Sequence, residues 1–153
     1  MRAARWFLFL IIVLAAVGLG FWAVARAHGK SDWPVPEEAK KVKNPVAVTP
    51  EGLAAAREIY FKKCSQCHGD AGKGDGDQAD MYDPRPANLS NGHMMSAMTD
   101  GEIFYKISEG HDPMPSFKKK FSDEDRWRLV NFVRTFTGQQ GTAGQEPDSS
   151  HHH

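Results

Sequence analysis

Cysteine is scarce in this chain: there are two residues in 153, Cys64 and Cys67. With no third cysteine, a structural zinc site built from two cysteine pairs is excluded, and His93 and His111 do not stand at a zinc-finger spacing from the pair. No run alternates strand and helix, so the βαβ surroundings of a thioredoxin-like dithiol are missing. Acids are absent from the start of the chain. Up to Lys30 there are four basic residues (Arg2, Arg5, Arg26, Lys30) and no Asp or Glu, which leaves 15 basic and 19 acidic residues afterwards, a net of −4. A nucleic-acid binder would be expected to carry a clear positive excess, so that partner class is not expected. No phosphate loop, paired carboxylates or nucleophile constellation suggests a separate reaction. The length allows one small domain plus extras.

What the chain does have is Cys64-Ser65-Gln66-Cys67-His68. C-x-x-C-H is the attachment signature of a c-type haem. Two thiols at this spacing can each add to one vinyl group of the porphyrin edge. The histidine after the second thiol is then held under the iron as one axial ligand. Cys64 and Cys67 are therefore the expected covalent attachment points of one haem c, and His68 the first iron ligand. Iron in a haem has a second axial position to account for.

Trp6 to Ala25 is an unbroken apolar run of 20 residues, and as a helix it would rise about 30 Å, the thickness of a bilayer's hydrocarbon core. Trp6 and Trp22 lie near its ends, where amphipathic rings favour the interface, and Arg2 and Arg5 favour an N-terminus left in the cytoplasm. Ala25-Arg26-Ala27 has the small-x-small form of a signal-peptide cleavage site, but a signal's apolar core is shorter, about 7–15 residues. Residues 1–27 are accordingly expected to form a single transmembrane anchor, with a cleaved signal as the other reading. Either way the remainder is exported. Residues 28–48 carry Pro34, Pro36, Pro45 and a charged patch, and are expected to form an extended, unpacked linker reaching roughly 60 Å. That linker is either a spacer or a tether along which a domain moves.

Thr49-Pro50-Glu51 reads as a helix start, and Leu53, Ala56, Ile59, Tyr60 and Cys64 recur along one face of a helix that runs to Gly69. Here the sequence resembles class I cytochromes c, in which an N-terminal helix leads into C-x-x-C-H. In that family a small residue and an aromatic precede the first cysteine by eight and four positions and pack on the last helix. Ala56 and Tyr60 occupy those places. The resemblance implies an all-α fold of about four helices around one haem, over residues 49–137, and attachment of the haem outside the cytoplasm. Asp70 to Pro86, rich in glycine and aspartate, is expected to be a flexible surface loop. Pro84-Arg85-Pro86-Ala87-Asn88-Leu89 resembles the family segment whose carbonyl accepts from the proximal histidine, with either Pro86 or Ala87 as the acceptor.

Thr99-Asp100-Gly101-Glu102 is a capping box opening a helix with Ile103, Phe104 and Ile107 on its apolar face. Next comes Pro113-Met114-Pro115, which cannot sit inside a helix and belongs to a loop. In class I cytochromes c the distal ligand is a methionine in a Met-Pro step between the third helix and the last, so the resemblance implies Met114 as the second iron ligand. The competing donors are Met94, Met95 and Met98, whose plainer role is filling gaps in the core, Met81 in the flexible loop, and His93 and His111, which read more plainly as solvent-exposed polar residues. Ser122-Asp123-Glu124-Asp125 starts the last helix, and Leu129, Phe132, Val133 and Phe136 form its stripe. Leu129 to Val133 is the expected crossing with Ala56 and Tyr60, and Trp127 is core or a haem contact. The Gly/Gln/Ser/Pro tail, 138–153, is expected to be disordered, and His151 to His153 are set aside as a natural tail or tag.

His68 and Met114 on one iron would fill both axial sites. The implied role is outer-sphere electron transfer by a carrier, not an enzyme, between redox proteins in or at the cytoplasmic membrane. Lys118-Lys119-Lys120 is either a solvated face or a docking patch for an acidic partner. Asn44-Pro45, Thr49-Pro50-Glu51 and Asp100 to Tyr105 are similar to the haem-c domains of terminal oxidase subunits and the monohaem subunit of alternative complex III. A tethered carrier and a fixed subunit of a respiratory complex are the two organisations this implies. Were Met114 not a ligand, the iron would have an open site fit for peroxide chemistry or for sensing a diatomic gas.

Overall fold

A computed structural model describes residues 33–138 of the chain. The expected anchor over 1–27 and nearly all of the expected tail fall outside the described residues. A compact unit begins at Val35. Among the described residues, all regular structure is helical: α1 (Glu37–Lys40), α2 (Pro50–Lys63), α3 (Ser65–His68), α4 (Gly92–Ala97), α5 (Asp100–Glu109) and α6 (Asp123–Thr135), with a 3-10 turn at Ala79–Met81. None of these helices is long and apolar enough to cross a membrane.

Local chemistry explains the helix starts. Thr49 is extended, and its Oγ1 accepts from Gly52 N at 3.0 Å while Pro50 occupies the first turn. Thr99 Oγ1 accepts from Glu102 N at 3.1 Å, and Ser122 Oγ accepts from Asp125 N at 3.1 Å. Each cap satisfies an amide that the helix leaves unpaired, worth about 1 kcal/mol. Only the first half of the expected capping box forms at Thr99, because the Glu102 carboxylate pairs with Lys106 at 3.0 Å.

The core lies where α2 packs on α6. Ala56 and Tyr60 share one buried cluster with Leu129, Val130, Phe132 and Val133. The Tyr60 ring stands 5.3 Å from Phe132 and 5.1 Å from Phe136. On its other side α6 meets α5, with Trp127 stacked on Phe104 at 3.9 Å and 13°. Trp127 is thus core.

Residues 37–46 depart from the expected extended, unpacked linker. They form a strap across α5 and α6. Asn44 Nδ2 donates to Asn131 Oδ1 at 2.7 Å, and Asn131 Nδ2 donates to Val46 O at 3.0 Å. Beneath the strap sits Gly101, where any Cβ would collide with the carbonyls of Ala39 and Val42. The physical reason is a match between an amide pair and a glycine that admits backbone to backbone, which outweighs the local composition. The strap also explains why α6 is buried almost all round, with Arg126, Asn131 and Arg134 inside as well as its apolar stripe.

Candidate haem site

The helix expected to run unbroken to Gly69 is two helices. α2 ends at Lys63, Cys64 caps it, and a single turn, α3, carries the rest of the motif. Cys67 N and His68 N both donate to Cys64 O, at 3.1 and 2.8 Å, so the two cysteines and the histidine are held on one turn. Ser65 Oγ donates to Phe61 O at 3.0 Å across the joint. Both cysteines are half-buried. Burial, and secondarily Cys67, pushes the Cys64 thiol up to about 12.

His68 presents one nitrogen to the protein. Its Nδ1 lies 3.0 Å from Ala87 O, and a carbonyl can only accept, so Nδ1 carries the proton and the lone pair is on Nε2. Ala87, not Pro86, is therefore the acceptor. Burial lowers the His68 pKa and the Ala87 bond partly offsets this, so the neutral imidazole that a metal needs is the favoured form. Two thiols and a neutral imidazole with a free Nε2 on one turn form a donor set that fits a covalently attached haem.

The Gly/Asp segment after the motif is not the flexible loop expected of it. Gly74 N donates to His68 O at 2.8 Å, Gly76 N to Cys67 O at 3.2 Å and Gln78 N to Gln66 O at 2.8 Å. These bonds pair the last carbonyls of α3, which a helix end otherwise leaves open. A Cβ at Gly76 would collide with the carbonyls of Ser65 and Gln66, so glycine there serves close approach. Tyr60, buried in the core, donates its hydroxyl to Gly69 O at 2.7 Å. Sequence reasoning assigned Tyr60 a packing role only.

Met114 is half-buried in the loop between α5 and α6, on a different element from the motif. Its backbone is fixed on both sides. His111 N donates to Met114 O at 2.9 Å and Met114 N to His111 O at 2.6 Å. Ser116 Oγ and Lys118 N both donate to Ser108 O, at 2.6 and 3.0 Å. The rival sulfurs are placed otherwise. Met95 is fully buried, Met81 is 74% exposed, and Met98 Sδ lies 3.4 Å from Lys106 Nζ as its acceptor. Met94 is half-buried against the core cluster, and His93 and His111 are exposed.

Two buried arginines escaped the sequence reading. Arg134 donates to Asp100 Oδ1 from Nε and Nη2 at 2.9 and 2.8 Å, and to the carbonyls of Met95 and Met98 at 2.5 and 2.7 Å. It thereby ties the junction of α4 and α5 to α6. Arg126 donates to Ser108 Oγ and to Asp123. In the lysine run, Lys118 pairs with Glu109 at 2.7 Å and Lys120 lies over the Phe117 ring at 5.2 Å.

Residues 51–133, just over half of the chain, match the family model described as cytochrome c oxidase, cbb3-type, subunit III. No curated protein sequence matches. Among solved structures, a chain of the Kuenenia stuttgartiensis reducing HAO-like protein complex Kustc0457/Kustc0458 is 26% identical with a TM-score of 0.53, over 71% of this chain and 52% of that one. This chain thus spans about half the length of that neighbour. The KustC0563 c-type cytochrome is 28% identical with a TM-score of 0.48, over 53% of this chain and 95% of that one.

Proposed function

The chain belongs to the cbb3-type cytochrome c oxidase subunit III family and is a class I c-type cytochrome, and on that premise we propose that His68 and Met114 are the two axial ligands of its haem c. The haem is covalently bound and supplies the redox chemistry. The polypeptide's part is attachment, orientation and exclusion of water. Cys64 and Cys67 are the attachment points. Ala87 O keeps the proton on His68 Nδ1 and so directs Nε2 to the metal. The observation that carries Met114 is the double hydrogen bond between His111 and Met114, which fixes the backbone of a weak thioether donor, whereas Met95 is buried, Met98 accepts from Lys106, Met81 is in solvent and Met94 packs against the core cluster.

With both axial positions filled, no substrate reaches the iron without displacing a ligand, and the function is outer-sphere electron transfer. Methionine opposite histidine places the potential above that of a bis-histidine haem. Met114→Ala should abolish the iron–sulfur charge-transfer band, lower the potential and let the reduced protein bind carbon monoxide. An unchanged spectrum would refute the ligand, and ready carbon monoxide binding by the unsubstituted protein would favour the open-site reading.

The apolar run from Trp6 to Ala25 supports attachment to the cytoplasmic membrane with the haem domain on the outer side, within a respiratory chain. The family description and the neighbour's setting in a protein complex support redox proteins as donor and acceptor. Intact mass separates a retained anchor from a cleaved signal. Co-purification in mild detergent separates a fixed subunit from a tethered carrier.

A further inference from the structure

Helix α5 ends at Glu109, and the loop that carries Met114 supplies partners for carbonyls that a helix end otherwise leaves open. Gly110 N donates to Lys106 O at 3.0 Å, Phe117 N to Ile107 O at 3.2 Å, and Lys118 N to Ser108 O at 3.0 Å. The loop thus leaves from the end of α5 and returns to it. At its neck Gly110 has φ +68°, and a Cβ there would stand 2.6 Å from Pro115 C and 2.7 Å from Met114 O. Glycine lets the returning arm close on the departing one. Phe117, 5% exposed and stacked on Phe121, anchors the return.

These bonds come from backbone amides, which any residue but proline would give. Ser116 adds one that depends on its side chain, for its Oγ donates to Ser108 O at 2.6 Å. The acceptor is itself firmly held. Ser108 is 3% exposed, and its own Oγ donates to Phe104 O at 2.7 Å and accepts from Arg126. Ser116 lies two residues beyond Met114 and directly before Phe117. Its hydroxyl therefore ties down the short stretch between the sulfur donor and the anchored return.

An external ligand reaches the iron only through the fraction of molecules whose sulfur has let go, and its apparent affinity scales with that fraction. A hydrogen bond present with the loop closed and lost with it open lowers the fraction. We propose that Ser116 is a positioning residue for the distal ligand: its hydroxyl on Ser108 O holds the Met114 loop closed and sets how readily the sulfur leaves the iron. The inference rests on the assignment of Met114 as ligand and adds to it the side chain that keeps the second axial position filled.

The test is titration of the oxidised haem protein with imidazole, followed by loss of the iron–sulfur charge-transfer band. Ser116 is an exposed residue, so Ser116→Ala leaves the core intact. That variant should bind imidazole about fivefold more tightly than the parent, the equivalent of one ordinary hydrogen bond. Ser116→Thr, which keeps the hydroxyl, should bind it as the parent does. Gly101→Ala, which strains the fold beneath the strap and not at the loop, should also match the parent. In a Met114→Ala background, Ser116→Ala should change nothing further. Equal affinity in Ser116→Ala and the parent would overturn the proposal. So would a Ser116→Thr variant that behaves as Ser116→Ala, a Gly101→Ala variant that gains as much, or a gain that persists without Met114. Failure of the Met114 assignment shows separately, as a parent protein with no iron–sulfur band before imidazole is added.

Discussion

Replacing Arg134 by methionine should destabilise the fold strongly. The side chain is 8% exposed and gives four hydrogen bonds, two to Asp100 Oδ1 and one each to the carbonyls of Met95 and Met98. Methionine keeps much of the stem's volume, so the cavity term is small and the loss is electrostatic. The substitution leaves two carbonyls short of a charged donor and strands the Asp100 carboxylate, whose side chain is 13% exposed. Breaking a buried pair in this way costs about 3–5 kcal/mol. For a domain of this size that is a fall in Tm on the order of 20 °C. The assay is thermal unfolding of the oxidised haem protein followed by far-ultraviolet circular dichroism. A double variant, Arg134→Met with Asp100→Asn, should recover about 1–2 kcal/mol, because the stranded charge is gone while the carbonyls stay unpaired. A single variant within 1 kcal/mol of the parent, or a double variant that is the sum of its parts, would refute the clamp.

Gly101→Ala should push the strap away from α5 at a cost of about 1–3 kcal/mol, seen as faster hydrogen exchange over residues 37–46 with the haem spectrum intact. Tyr60→Phe removes the hydroxyl from Gly69 O and should cost about 1–3 kcal/mol in urea unfolding, since the carbonyl is buried with it. Replacing Lys118, Lys119 and Lys120 together by glutamate should slow electron transfer to a small anionic complex, with a difference that vanishes as salt is raised. Equal rates at low salt would leave the run as a solvated face.

Features written over a few neighbouring residues were legible in the sequence. The single turn of Cys64 to His68, the caps Thr49, Thr99 and Ser122, and the break of helix at Pro113-Met114-Pro115 are each written within a handful of positions. What stayed hidden depends on partners far apart. Asn44 finds Asn131 at a separation of 87 residues, and nothing in the charged, proline-bearing composition around Asn44 announces it. Glycines 72, 74 and 76 read as flexibility because glycine is common in mobile loops, whereas Gly76 is there to let backbone touch backbone. Arg126 and Arg134 do not belong to the apolar stripe of α6, and nothing in their neighbours marks them as buried. Burial of α6 on nearly every side, by α2, α5 and the strap, turned them inward.

The same convergence on α6 has a consequence for the order in which the molecule comes into being. The long ties of the fold run from Asn44, Tyr60 and Asp100 to Asn131, Phe132 and Arg134, so each of them ends on the last helix described. A chain emerging from its N-terminus meets none of these partners until residue 131 is out, and contacts so distant in sequence are the slow ones to form. Until then the turn bearing Cys64 and Cys67 lacks the core behind it. The thiols that the finished domain half-buries have an interval of access built into the topology, and it closes when α6 docks.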